Sequence, residues 1–160
     1  MTDRQKQLVK KYLVYTFLSN LWFLAAVWLY LYRLFITDQQ VGVMDAMAFA
    51  IGLLAEVPSG ALADKFGRAR VVKLGQLLAG AGLLIQAGGS SFLPFFVGQS
   101  VVMIGAGFIS GADEALFFEK LQFDKASKNW RKLVTRGSQV ALIAKLAATI
   151  IGGLLFAISP

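Results

Sequence analysis

Five apolar runs separated by short polar breaks constrain this chain more than any other feature. They lie at 12–35, 41–63, 71–90, 93–118 and 138–158. Each is close to the ~20 residues that a helix needs to cross a bilayer. In hydrocarbon every backbone N–H and C=O must be satisfied within the segment, so helices are the expected solution. The expected fold is an all-α polytopic membrane protein, a single transmembrane domain over 1–160 with five transmembrane helices. Charged residues make up 16% of the chain, well below the ~25% of soluble domains. The first run is far longer than the ~7–15 apolar residues of a signal peptide, so it is expected to remain as an uncleaved span.

The cations are distributed unevenly. Arg4, Lys6, Lys10 and Lys11 precede the first run, and Lys65, Arg68, Arg70 and Lys73 separate the second from the third. Lys120, Lys125, Lys128, Arg131, Lys132 and Arg136 separate the fourth from the fifth. With alternating spans, these 14 of 16 cations fall on one side; Arg33 is alone on the other, and Lys145 lies inside a span. Positive-inside asymmetry then puts the N-terminus in the cytoplasm of a multi-pass protein of the cell inner (plasma) membrane. The net charge of +7 is thus a membrane signal, and nucleic acid is not an expected partner. The chain has no Cys and no His, which removes thiolate chemistry, the usual proton shuttle and the commonest metal ligand. No nucleophile–base pair or metal-ligand set stands out, so neither an enzyme nor a cofactor is expected.

The densest polar stretch inside the apolar pattern is Gly60-Ala-Leu-Ala-Asp64-Lys-Phe-Gly67-Arg68-Ala-Arg70. Gly60 and Asp64 are four apart and share a helix face. Gly60 offers bare backbone for close approach of another helix. Asp64 falls in a last helical turn, where the macrodipole disfavours an anion. It needs a partner, either Arg68 just past the breaker Gly67 or the N-terminus of a helix docking on Gly60.

Placed between a second and a third apolar span, this run resembles the signature loop of the major facilitator superfamily, roughly Gly-x-Leu-Ala-Asp-x-x-Gly-Arg-(Lys/Arg). The resemblance covers the whole chain but only the first five spans of such a transporter. It implies that the chain is an incomplete N-terminal six-helix half: a truncated product, a gene fragment or an excised piece. It also implies a small-molecule substrate moved by alternating access, with the first and fourth spans lining a central cavity. A missing C-terminal half or an oligomer partner would have to close that cavity. The signature loop would act as a gate latch, with Gly60, Asp64, Gly67 and Arg68 at its centre and Glu119 joining the charge cluster. Two departures from the family pattern matter. Many proton-coupled members carry a basic residue within the fourth span, and none lies between Ser91 and Phe118; the fifth span reads Ala148-Thr-Ile-Ile-Gly152-Gly153 without the Gly-Pro of drug antiporters, so transport in general is better supported than drug efflux.

Polar residues within the spans mark the expected pathway. Thr16, Ser19 and Asn20 share a face of the first span, and Gln99, Met103, Ala106, Ser110 and Asp113 follow helical spacing on the fourth. Asp45 and Glu56 lie in the second span, and Pro58 is expected to kink or loosen it. Gly75, Ala79 and Gly82, the pair Gly107 and Gly111, and Ala144, Ala148 and Gly152 form small-residue seams suited to close packing. Asp113, Glu114 and Glu119 crowd the end of the fourth span and are costly unless paired or wet. Lys145 lies ~12 Å into the fifth span at 1.5 Å per residue, and Asp113 and Glu114 lie ~8–9 Å into the fourth. Lys145 is therefore expected to pair with one of these acids, leaving the other as the proton-coupling candidate. The alternative is that Lys145 snorkels to the headgroups while the acids face water. A non-transporting membrane scaffold that keeps the fold is the competing function; unexplained intramembrane charges speak against it.

Overall fold

The structure, a computed structural model, describes residues 3–110, 112–121 and 128–158. It is all-helical, with no strand among the described residues. The helices are α1 (Asp3–Ser19), α2 (Trp28–Arg33), α3 (Asp38–Phe66), α4 (Arg68–Ala87), α5 (Phe92–Ser110), α6 (Asp113–Leu121) and α7 (Lys128–Ile158), with a 3-10 turn at Phe23–Ala26. Among the described residues, three helical stretches are long and apolar enough to cross a membrane: Asp38–Phe66, Phe92–Phe117 and Trp130–Ile158. They cover the expected second and fifth spans and all but the last residue of the fourth.

The other two runs fold differently from their apolar pattern. The first, expected as one helix over 12–35, is broken into α1, the 3-10 turn and α2. The break starts where the Asn20 Nδ2 donates to the Thr16 carbonyl oxygen at 2.8 Å, a local bond that competes with helix propagation. The backbone then tightens, with Asn20 N–H and Leu21 N–H donating to Phe17 and Leu18, three residues back. The third run becomes α4, which starts at Arg68 and carries Arg70 and Lys73 in its opening turns. Proline does not end α3, which runs on through Pro58.

The chain forms two compact units, Leu31–Leu116 and the pair Met1–Tyr30 with Phe117–Pro160. In the Leu31–Leu116 unit, α3 is started by a capping box. The Thr37 hydroxyl accepts from the Gln40 N–H while the Gln40 side chain accepts from the Thr37 N–H. Arg33 grips Asp38 in a fork, Nε and Nη2 donating to the two carboxylate oxygens at 2.6 and 2.7 Å. This neutralises the one cation that the sequence isolates from the rest.

Helix α5 is central to this unit because glycine lets two neighbours approach it. A Cβ at Gly75 would stand 2.7 Å from the Gly105 carbonyl oxygen, and one at Gly98 would stand 2.7 Å from that of Gly82. These pairs run in opposite directions along the chain, so α4 and α5 are antiparallel with backbone against backbone. On its other side α5 brings Met103 against Gly52, where a Cβ would lie 3.0 Å from the Met103 Cβ. Gly107 faces Gly52 and Glu56. The pairs here ascend together, so α3 and α5 are parallel. Gly111, the partner expected for Gly107 in a packing motif, lies outside the described residues.

In the other unit, α1, the 3-10 turn and the chain up to Tyr30 run parallel to α7. Leu133 is buried against Leu8, Val9, Tyr12 and Leu13, with Trp130 beside it. Further along, Gly137 meets the Tyr12 ring, Gly152 meets the Phe23 backbone, and Tyr30 packs edge-on against Phe156. Leu133, Gly137, Ala144, Ala148 and Gly152 are all buried along one face of α7. The seam of Ala144, Ala148 and Gly152 thus packs inward, and Gly152 is the point at which the broken first run passes α7.

Candidate functional site: a polar seam along α3 and α5

Most interhelical surfaces in the Leu31–Leu116 unit are apolar, but the α3–α5 contact carries a polar seam. Asp45 and Glu56 are eleven positions apart on α3, about three helical turns, so they share a face. Gln99 and Ser110 have the same spacing on α5. Because the two helices are parallel, each acid meets its counterpart. The Gln99 Nε2 donates to Asp45 Oδ1 at 3.4 Å, and the Ser110 hydroxyl donates to Glu56 Oε1 at 2.8 Å. Eleven residues separate the two rungs by ~16 Å of helix. Between them lie Gly52 and Met103, where the backbones are close.

The Asp45 rung extends across the unit. The Tyr32 hydroxyl donates to Gln86 Oε1, the Gln86 Nε2 donates to Gln99 Oε1 at 3.2 Å, and Gln99 donates on to Asp45. Three donors in series point towards one carboxylate, linking α2, α4, α5 and α3. Such chains polarise in a common direction and strengthen one another in a low-dielectric interior. Tyr32 is buried, whereas Asp45 and Gln99 are half-buried.

The Glu56 rung is more open, since both Glu56 and Ser110 are exposed. Next to it, Ser59 is 1% exposed and its hydroxyl is within donating distance of the Glu56 and Gly107 carbonyl oxygens, at 2.6 and 3.2 Å. Ser59 thus ties α3 to the α5 backbone one position after Pro58.

The structure treats the expected site residues unequally. Gln99 and Ser110 both lie on the polar seam. Asn20 ends α1 and turns its amide back onto its own helix. Asp113 is the first residue of α6, a position where the helix macrodipole favours an anion. Lys145 is exposed on α7, away from the buried stripe that includes its neighbour Ala144. Lys145 and Asp113 belong to different units, and the Glu114 side chain lies outside the described residues.

At the α3–α4 junction, Gly67 has φ +92° and caps both helices. Only glycine adopts this backbone without strain, which gives the breaker its physical basis. Arg68 lies 4.0 Å from Asp64 across the break, and the Asp64 side chain is 79% exposed. An ion pair this open contributes between zero and ~1 kcal/mol to stability. Gly60 has open space where a Cβ would stand, with nothing within 4 Å. Its bare face is thus unused among the described residues. Glu119 is exposed on α6, within the unit formed by Met1–Tyr30 and Phe117–Pro160.

Sequence reasoning missed Tyr32 and Gln86 as site residues and left Asp45 and Glu56 outside the expected pathway. The signal that identifies the two acids is the repeated spacing. Asp45 to Gln99 and Glu56 to Ser110 are both 54 positions apart. A constant offset between polar residues on two apolar runs marks a parallel pair in register, here α3 and α5; Tyr32 and Gln86 lie on α2 and α4 and carry no such signal.

No protein-family model, curated protein or solved structure matches this chain.

Proposed function

We propose that this chain is the N-terminal portion of a secondary active transporter resembling the major facilitator superfamily. It would move a small molecule across the cell membrane by alternating access, with five passes, a cytoplasmic N-terminus and protons as the candidate coupling ion. The observation that carries this reading is the polar seam: two carboxylates on one stripe of a helix apolar enough to cross a membrane. Such groups are expensive in hydrocarbon, and they are typical of proteins that pass ions or solutes. The junction at Gly67 supports it further, because Asp64 and Arg68 flank a fixed turn while Gly60 presents bare backbone for a docking helix.

In this reading Asp64, Arg68 and Glu119 form the cytoplasmic latch. Asn20, Gln99, Ser110, Asp113, Glu114 and Lys145 line the substrate or proton pathway, and Lys145 pairs with Asp113 or Glu114. A double-mutant cycle on stability, with Lys145→Met against Asp113→Asn and Glu114→Gln, measures that pair; additive effects in both cycles would remove it. The function itself is tested by flux of a panel of solutes into proteoliposomes under an imposed pH gradient. Gradient-driven uptake is the expected result. A folded protein with no flux for any solute would favour a membrane scaffold instead.

A further inference from the structure

Helix α7 has 31 residues, a length of ~46 Å at 1.5 Å per residue. The hydrocarbon core is ~30 Å thick, so about ten residues must lie beyond it. The charge pattern says which ones. From Gly137 to Ile158 the only charged residue is Lys145, whereas Arg131, Lys132 and Arg136 crowd the preceding segment. Because α1 runs parallel to α7, its own basic end lies at the same level. The Leu133 core fixes that level by packing on Leu8, Val9, Tyr12 and Leu13.

Lys10, Lys11, Arg131, Lys132 and Arg136 are therefore exposed at one end of one unit. None of these five is ion-paired among the described residues, whereas Lys6 is held by Asp3 at 3.0 Å. An open groove of about 540 Å³ runs along α1 from this end, lined by Gln7, Lys10, Lys11, Val14, Tyr15 and Leu18. Its lining surface is almost wholly apolar, with Val14 and Leu18 50% and 60% exposed, and the exposed Lys10 and Lys11 border it. A soluble anion would satisfy the two lysines and leave that apolar lining in contact with water. An anionic phospholipid fits both parts, with its phosphate at Lys10 and Lys11 and an acyl chain along Val14 and Leu18.

We propose that the basic end of α1 and α7 is a binding site for anionic phospholipid headgroups of the surrounding bilayer, with the α1 groove holding one lipid. This rests on the membrane reading alone and is independent of transport. Cationic segments next to a membrane span attract acidic headgroups with an affinity that falls as salt rises.

Quenching of Trp130 by brominated lipid tests the site, in a Trp22→Phe/Trp28→Phe background reconstituted into vesicles. Brominated phosphatidylglycerol should quench Trp130 several-fold more than brominated phosphatidylcholine at equal mole fraction, and the preference should fall at high salt. Lys10→Gln/Lys11→Gln, two exposed positions, should lower the preference several-fold, towards equal quenching by the two lipids. Equal quenching by the two lipids, or a preference unchanged in that variant, would overturn the site. Glycerol phosphate, which lacks acyl chains, should not displace the lipid; displacement would overturn the groove assignment. The salt series on the unsubstituted pair Lys10 and Lys11 reads the same preference without relying on the folding of the charge variant.

Discussion

Helix α5 has two working faces, and they are built from opposite materials. Towards α4 it presents Gly98 and Gly105, and apart from the Gln86–Gln99 hydrogen bond the contact is backbone against backbone. Towards α3 it presents Gln99, Met103 and Ser110, and the contact carries two carboxylates. Close glycine contacts gain from dispersion and from weak Cα–H···O bonds of about 0.5–1 kcal/mol each. They hold one register and tolerate no side chain. Polar pairs between membrane helices average only ~0.6 kcal/mol and reach ~1.7. A pair of acids, one half-buried and one exposed, is thus an inefficient way to join two helices that glycine already joins well. The contrast argues that the α4 face is there for packing and the α3 face for chemistry.

The largest expected effect breaks the glycine face. Gly82→Leu drives a side chain into the Gly98 carbonyl and Val102 and should destabilise the protein by about 3 kcal/mol. Thermal unfolding in detergent measures it, and a loss within error would mean that α4 and α5 are not in backbone contact. Next comes the polar relay. Tyr32→Phe removes the first donor of the series and leaves Gln86 with an unmet acceptor, an expected loss of about 1 kcal/mol. Gln99→Leu, which cuts the relay in the middle, should lose at least as much, and the two losses should not add. Additivity would show that the three hydrogen bonds act separately.

A smaller effect sharpens the polar face. The coupling between Glu56→Gln and Ser110→Ala should lie near 0.6 kcal/mol in a double-mutant cycle, and a value above about 2 would make this rung structural after all. The smallest belongs to Gly60. Gly60→Ala has open space to enter and should leave stability within about 0.5 kcal/mol. If another helix docks there, the same change should slow transport, whereas unchanged transport would remove the docking role.

Much of this organisation was legible in the chain. The apolar runs at 41–63, 93–118 and 138–158 mark the three stretches able to cross a membrane, because length and hydropathy alone decide that property. The seam of Gly75 and Gly82 was visible from spacing, and so was the polar line through Gln99 and Ser110. Apolarity could not reveal the break in the first run, which depends on a local amide bond at Asn20 and on the Gly152 contact with Phe23. The partners of Asp45 and Glu56 were hidden for another reason. Pattern within one helix shows which residues share a face, and only the pairing of two helices shows what that face meets. Asp113 falls near the end of the membrane-capable stretch Phe92–Phe117, where the pattern puts it, and is also the first residue of α6.

The central claim is that the carboxylates on α3 serve transport more than packing. Asp45→Asn with Glu56→Gln tests it in one preparation, with pH-gradient-driven solute uptake into native membrane vesicles and thermal unfolding of the purified protein read side by side. The predicted result is loss of gradient-driven uptake with unfolding shifted by about 1 kcal/mol or less. Full uptake by the double variant, or unfolding of the protein in step with lost uptake, would contradict it.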